Sequence, residues 1–386
     1  MFCGLLLCAW AQLSAASGYG YDVAALIPPE GFLFYTPRGV AISLEGILFV
    51  SDTGQDLLHR IDLKTGEHTL WGGTGSALGR FRYPCGLAWG QDGRLYVVDT
   101  LNHRVQVFDA GGRLITAFGD QGVPTARLFY PTGISLGPNG LIYVADQGQH
   151  RIAVFDRSGV FRFAWGGQGN TPGRFLWPYE TAVDRFGNVY VTDSENHRIQ
   201  KFDSRGNFLT QWGSKGEAPG SFLYPRSLAI DGDLVYVSDR NNNRIQVFSL
   251  KGKLIALWGK SGLEPGSFQR PHGVCVDKEG FVYVVDTYNH RIQKFATPRH
   301  FIRGDVNEDG VVHVSDAAAI LSFLFKQQGC LRPDGADAND DGLIDVADPS
   351  YIMAFLFADG PPPPHPFPDR GLDPTPDNLP QDPTCD

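Results

Sequence analysis

Six copies of one motif, the first five with alternating apolar stretches long enough for four short strands, and a later pair of acidic loops predict a mainly β fold: a six-bladed β-propeller followed by a small α-helical, EF-hand-like unit. The motif reads YVxDxxNHRIQxF, and its aspartate falls at Asp52, Asp99, Asp146, Asp193, Asp239 and Asp286, at intervals of 47, 47, 47, 46 and 47 residues. Each copy opens on a proline (Pro37, Pro84, Pro131, Pro178, Pro225, Pro271), and the first five close on an aromatic residue before glycine (Trp71, Phe118, Trp165, Trp212, Trp258).

Each of the first five repeats justifies four strands. In the first, VAISL, ILFVSD, HRIDL and HTLWG alternate apolar and polar residues and are separated by turn residues. A sheet this small buries both faces only when stacked on its neighbours, which is the construction of a propeller blade. Asn102-His103, Asn196-His197 and Asn289-His290 are the residues for which the NHL repeat is named, and residues 37 to 295 resemble that family. The sixth repeat stops after three strands, at Phe295. Upstream, AALIPPEGFLFYTP matches the spacing of ALWGKSGLEPGSFQRP with a gap of one, so Val23 to Ile27 are expected to supply the missing outer strand and remove an open edge.

Beyond the propeller, Asp305, Asn307, Asp309, Val311 and Asp316 are followed 32 residues later by Asp337, Asn339, Asp341, Leu343 and Asp348. Both runs put side-chain oxygens at loop positions 1, 3, 5 and 12, glycine at 6 (Gly310, Gly342) and a backbone carbonyl at 7, the way a short loop wraps calcium. Position 9 is His313 in the first loop, which leaves that ligand to water, and Asp345 in the second, which is expected to be the tighter site. Each loop runs into an apolar helical stretch, AAAILSFLF or PSYIMAFLF, so Asp316 and Asp348 fall at helix N-termini. This duplicated loop-helix unit resembles a type I dockerin. The resemblance implies two calcium ions and calcium-dependent docking to a cohesin-like or other surface protein, with partner choice at loop positions 10 and 11: Val314, Ser315, Val346 and Ala347. It also implies a place in a polysaccharide-degrading assembly.

The net charge of −9 divides unevenly. Residues 301 to 386 hold 16 acidic against 4 basic residues, while residues 1 to 300 hold 26 against 29. A near-neutral propeller with no basic stripe is poorly suited to phosphate-dominated nucleic-acid binding. The start, MFCGLLLCAWAQLSAASG, is an apolar run too short for a membrane span; ending in small residues with Ser14 and Ala16 placed for cleavage, it reads as an export signal. The expected division is a signal peptide over 1–17, the propeller over 19–298, the calcium unit over 301–360 and a Pro-rich tail over 361–386, in a secreted or cell-surface protein. Export permits a disulfide between Cys330 and Cys385, which flank the second loop and the tail; Cys275 reads as a small core residue.

Asp, His and Arg recur in four of the six blades, as in Asp99 with His103 and Arg104, and equivalent places around a ring do not converge on one centre. They are expected to lock hairpins, the aspartate bonding across the turn to His or Arg. Function is expected where the copies disagree, after the opening proline: Arg38, Tyr179, Arg226 and His272, with Glu180 in place of a glycine and Arg240 after the blade-five aspartate. These residues form a polar, partly cationic mouth for an anionic or hydroxyl-rich ligand, a glycan or a peptide. Three function classes follow: a recognition module docked through calcium, favoured because no catalytic set converges; a lyase or lactonase acting at the mouth; and a surface-layer spacer.

Overall fold

The computed structural model describes residues 23–27, 34–296, 306, 312, 314–326, 336, 338–339, 343–358, 361 and 363. It divides the chain into two units, Met1–Thr297 and Pro298–Asp386. The expected export segment, Cys330 and Cys385 lie outside the described residues, as do Asp305, Asn307, Asp309, Val311, Asp337 and Asp341. Among the described residues no helix is long and apolar enough to cross a membrane.

The first unit is a six-bladed propeller of four-stranded antiparallel sheets. Blade 1 runs through Pro37–Ile42, Ile47–Asp52, Leu57–Asp62 and His68–Gly72, and the first strands of successive blades pack on one another around the centre. In the last blade the outer place is taken by Val23–Ile27, which pairs antiparallel with Arg291–Phe295, Val23 facing Phe295 and Ile27 facing Ile292.

The core lies between blades. Phe49 and Leu58 of blade 1 pack with Phe81, Leu95, Val97 and Phe108 of the next. Every second strand from blade 2 onward sends in a buried tyrosine: Tyr96, Tyr143, Tyr190, Tyr236 and Tyr283. Burying one such side chain stabilises the fold by roughly 1.5–3 kcal/mol, and the repeat makes that contribution recur around the ring.

The motif aspartates are wholly buried and saturated with donors. Asp99 accepts the backbone N–H of Arg82 at 2.8 Å, Asn102 Nδ2 at 2.9 Å, Arg104 Nε at 2.8 Å and Gln106 Nε2 at 2.9 Å. The set recurs at Asp193 with Asn196, Arg198 and Gln200, and at Asp239 and Asp286. In blade 1, His59 replaces the glutamine, with its Nε2 at 3.3 Å from Asp52 and its Nδ1 at 3.0 Å from His68 Nε2. A buried carboxylate so paired locks its hairpin, and removing one partner costs about 3–5 kcal/mol.

The expected bond across the turn to the motif aspartate is made by the arginine, as at Arg104 and Arg198, and not by the histidine. Each histidine adopts a left-handed conformation and turns its Nδ1 to the following blade. Tyr130 N–H donates to His103, Trp177 N–H to His150 and Tyr224 N–H to His197, each at 3.1 Å. Asn243 Oδ1 accepts from Arg270 N–H at 2.8 Å, and Asp56 Oδ1 accepts from Tyr83 N–H at 2.7 Å. His290 completes the circuit by accepting from Thr36 N–H at 3.1 Å. Among the described residues, the non-glycine positions with positive φ are these six acceptors and their six donors.

In the second unit, α1 (Val314–Lys326) packs on α2 (Ala347–Phe357). Ile320, Ile352, Ala317, Val306 and Ala338 form its core. Asp316 and Asp348 lie in the first helical turns and are wholly buried. Asp316 Oδ1 accepts Val306 N–H, and Asp348 Oδ1 accepts Ala338 N–H, both at 2.9 Å and both ten residues back.

The staples give the propeller a pH dependence of defined sign. A ring nitrogen that accepts an N–H must be unprotonated, and burial holds His103, His150 and His197 below the ordinary histidine value. The native state then binds fewer protons than the unfolded chain, so this stability is complete above about pH 6.5 and is lost as pH falls below it. Replacing all three with asparagine, the residue already at 243, is expected to reduce the drop in Tm between about pH 7.5 and about pH 5, read by thermal melts; an equally steep drop in the variant refutes the staple as its source.

Candidate functional site

The inner strands approach so closely that most blades require glycine two residues after the opening proline. A Cβ on Gly39 would lie 2.0 Å from the Cys85 carbonyl oxygen, and one on Gly273 would lie 2.4 Å from that of Arg38. Blade 4 carries Glu180 instead, whose Oε1 accepts the N–H of Ile134 at 2.8 Å and of Thr181 at 3.1 Å. It faces a cavity of 50 Å³ within the channel, shared with Gly39, Thr181, Ser227 and Gly273. The residue is half-buried beside that cavity, and burial pushes its carboxyl up to about 8.

At the end of the channel where the blade-opening prolines stand, five of the six expected residues come together. Arg38 Nη1 donates to Tyr179 Oη at 3.3 Å, and Tyr179 Oη lies 3.4 Å from His272 Nδ1. Arg240 Nε donates to His272 Nε2 at 3.2 Å, and Arg226 stacks over the Tyr179 ring at 4.4 Å. With Nε2 accepting, neutral His272 carries its proton on Nδ1, a tautomer assigned from the network. Burial, then Arg38, Arg226, Arg240 and Arg270, hold His272 well below the ordinary histidine value; burial also pushes the Tyr179 phenol up. Both imidazole nitrogens are engaged and the ring is 2% exposed, an arrangement that orients donors rather than shuttles protons. Glu180 does not join this group: its carboxyl is spent on backbone N–H groups in the channel cavity.

Three contributors went unselected in the sequence. Tyr83 lies beneath Arg38 at 4.6 Å, and Tyr288 lies beneath Arg270 at 5.1 Å. Departure from the repeat marks Arg270, which precedes its proline where five other blades have Thr36, Tyr83, Tyr130, Trp177 and Tyr224.

In the second unit, Val314, Ser315, Val346 and Ala347 are exposed at the helix starts, as are Leu343 and Asp345, while Asn339 is half-buried. Among the described residues no three His, Cys, Asp or Glu side chains are grouped to hold a metal. Cys85 and Cys275 are free thiols.

The NHL repeat pattern matches residues 81–108, 130–155, 175–202, 222–248 and 268–295. The propeller is built of NHL repeats. Its first blade falls outside the matched segments, and that blade has Leu57 and His59 where Arg104 and Gln106 stand in the second. No curated protein matches the chain. Among solved structures, a catalytically inactive virginiamycin B lyase from Staphylococcus aureus with quinupristin is 16% identical, with a TM-score of 0.50 over 70% of this chain and 82% of that one. A protein of unknown function from Bacteroides thetaiotaomicron is 16% identical, with a TM-score of 0.55 over 72% of each chain. A chain of a nidogen/laminin complex is 18% identical, with a TM-score of 0.50 over 63% of this chain and 85% of that one. These likenesses are likenesses of fold.

Glu180 supplies a test with the opposite pH sign to the histidines. Its raised pKa lets the native state hold a proton that the unfolded chain releases, so stability falls as pH rises from the ordinary carboxylate range to about 8. Glu180→Gln is expected to melt several degrees above the parent at about pH 8.5 and level with it near pH 4.5, by calorimetry; a constant offset across that range contradicts the assignment.

Proposed function

We propose that the protein is a secreted, non-catalytic recognition module: its NHL propeller holds a ligand at the channel mouth, and its C-terminal unit docks it, through calcium, to a cohesin-like or other surface protein. The observation that carries this reading is a division of labour. The repeated Asp and Arg side chains are consumed inside their own blades, whereas the non-repeating Arg38, Tyr179, Arg226, Arg240 and His272 converge on one opening.

Two calcium ions fit the second unit's chemistry. Asp316 and Asp348 are buried carboxylates at helix N-termini with matching backbone partners in both copies, and Asp345 and Asn339 add oxygen donors near the second. The proposed ligands are Asp305, Asn307, Asp309, the Val311 carbonyl and Asp316 for one ion, and Asp337, Asn339, Asp341, the Leu343 carbonyl, Asp345 and Asp348 for the other. The exposed Val314, Ser315, Val346 and Ala347 would then present the docking face. A polysaccharide-degrading assembly is the setting that the dockerin resemblance suggests.

Titration calorimetry on the whole chain is expected to give two calcium ions, reduced to one in Asp316→Asn and in Asp348→Asn. Chelation should remove one melting transition and leave the propeller's in place. A stoichiometry unaffected by both substitutions refutes the metal assignment. Capture from the producing organism's secreted fraction, with and without EDTA, tests docking: an unchanged set of partners rules it out.

A further inference from the structure

We infer that the channel mouth is a receptor for a compact dianion, the terminal phosphate or sulfate group of a small ligand or glycan; this rests on reading the mouth as the ligand site. Four guanidinium groups, those of Arg38, Arg226, Arg240 and Arg270, act together on His272. Elsewhere this protein pairs its buried arginines with carboxylates, as in Arg104 with Asp99 and Arg198 with Asp193, each at 2.8 Å. At the mouth it does not: among the described residues none of the four arginines makes an ion pair. Glu180, the nearest acid in sequence, gives its carboxyl to backbone N–H groups instead.

The uncompensated charge registers on its neighbours. Arg240 is lowered by burial and by Arg226 and Arg270. Tyr288 is lowered against the opposing effect of its burial by Arg270, Arg240 and Arg38. Such mutual repulsion is relieved by an anion of more than one charge.

Geometry selects the kind of anion. The guanidinium carbons of Arg38, Arg226 and Arg270 lie over the rings of Tyr83, Tyr179 and Tyr288 at 4.6, 4.4 and 5.1 Å. A stacked guanidinium keeps its N–H groups in the ring plane, free to grip oxyanions. The Nε atoms of Arg38 and Arg226 are buried and have no hydrogen-bond partner, donors that an oxyanion would satisfy. Below the mouth the channel closes to the 50 Å³ cavity, because the inner strands touch across glycine. The site therefore admits the end of a ligand and does not thread a chain.

The test uses the whole protein with calcium present. Inorganic phosphate, inorganic sulfate, glucose 6-phosphate, acetate and glucose are titrated by calorimetry, the first two representing the free ion and the third a sugar ester. Phosphate, sulfate or the ester is expected to bind at least about tenfold more tightly than acetate, and glucose not at all. The Arg226→Gln/Arg240→Gln variant is expected to lose about tenfold or more of that affinity, while Arg113→Gln on a distant exposed turn changes nothing. The unliganded double variant should melt at or above the parent temperature, because like charges have been removed, so lost binding is separable from misfolding. Absence of binding by all three dianions, or binding that survives the double substitution, overturns the inference. If a neutral glycan or peptide occupies the mouth while the dianions do not, the inference fails and the recognition reading stands.

Discussion

The propeller depends on a circuit of six hydrogen bonds between blades, each made by two residues in a left-handed backbone conformation that side chains disfavour by about 1 kcal/mol or more. Neither residue has reason to adopt it alone. The acceptor, His, Asn or Asp, is turned outward by that conformation and so reaches the N–H of a donor in the next blade, whose own positive φ aims the N–H back. The aspartate set fixes each hairpin within its blade. The staple fixes the angle to the next, and the His290–Thr36 bond makes the arrangement a ring rather than a row.

A rigid ring lets side chains that differ from the repeat meet with consistent geometry. The inner strands all run the same way, so the residues after the opening prolines arrive at one end of the channel whatever their chemistry. Arg38, Tyr179, Arg226 and His272 come from four blades and still make hydrogen bonds or stack with one another. Cationic groups that would be hidden by acidic partners in an ordinary core are here held over aromatic rings, which do not neutralise them.

Much of this was legible in the sequence because periodicity reports fold directly: a fixed interval of about 47 residues between aspartates admits little but a repeat, and the gap-of-one match at Val23–Ile27 located the strand that completes the last blade. The histidine's role was not legible. Its partner lies 27 residues away in another blade, and reaching it requires a backbone conformation that residue type alone does not announce for histidine. The mouth residues are legible where copies disagree after the proline, whereas Arg270 lies one residue before its proline and Tyr288 two residues after the blade-six aspartate. Glu180 stands out because it replaces the repeat's glycine, but alternation along the strand sends its side chain the opposite way from Tyr179. In the second unit the spacing placed Asp316 and Asp348 at helix starts, where both are described.

The closing strand also determines how the propeller carries mechanical load. Val23 lies opposite Phe295 in an antiparallel pair, so the chain enters and leaves the ring at the same corner of the same blade. Tension between these two points pulls across the ladder rather than along it, breaking one pair of bonds at a time from Val23 toward Ile27. The last blade is therefore the fuse of the wheel: it would open first under stretch, and the other five, stapled to one another, would keep their shape behind it.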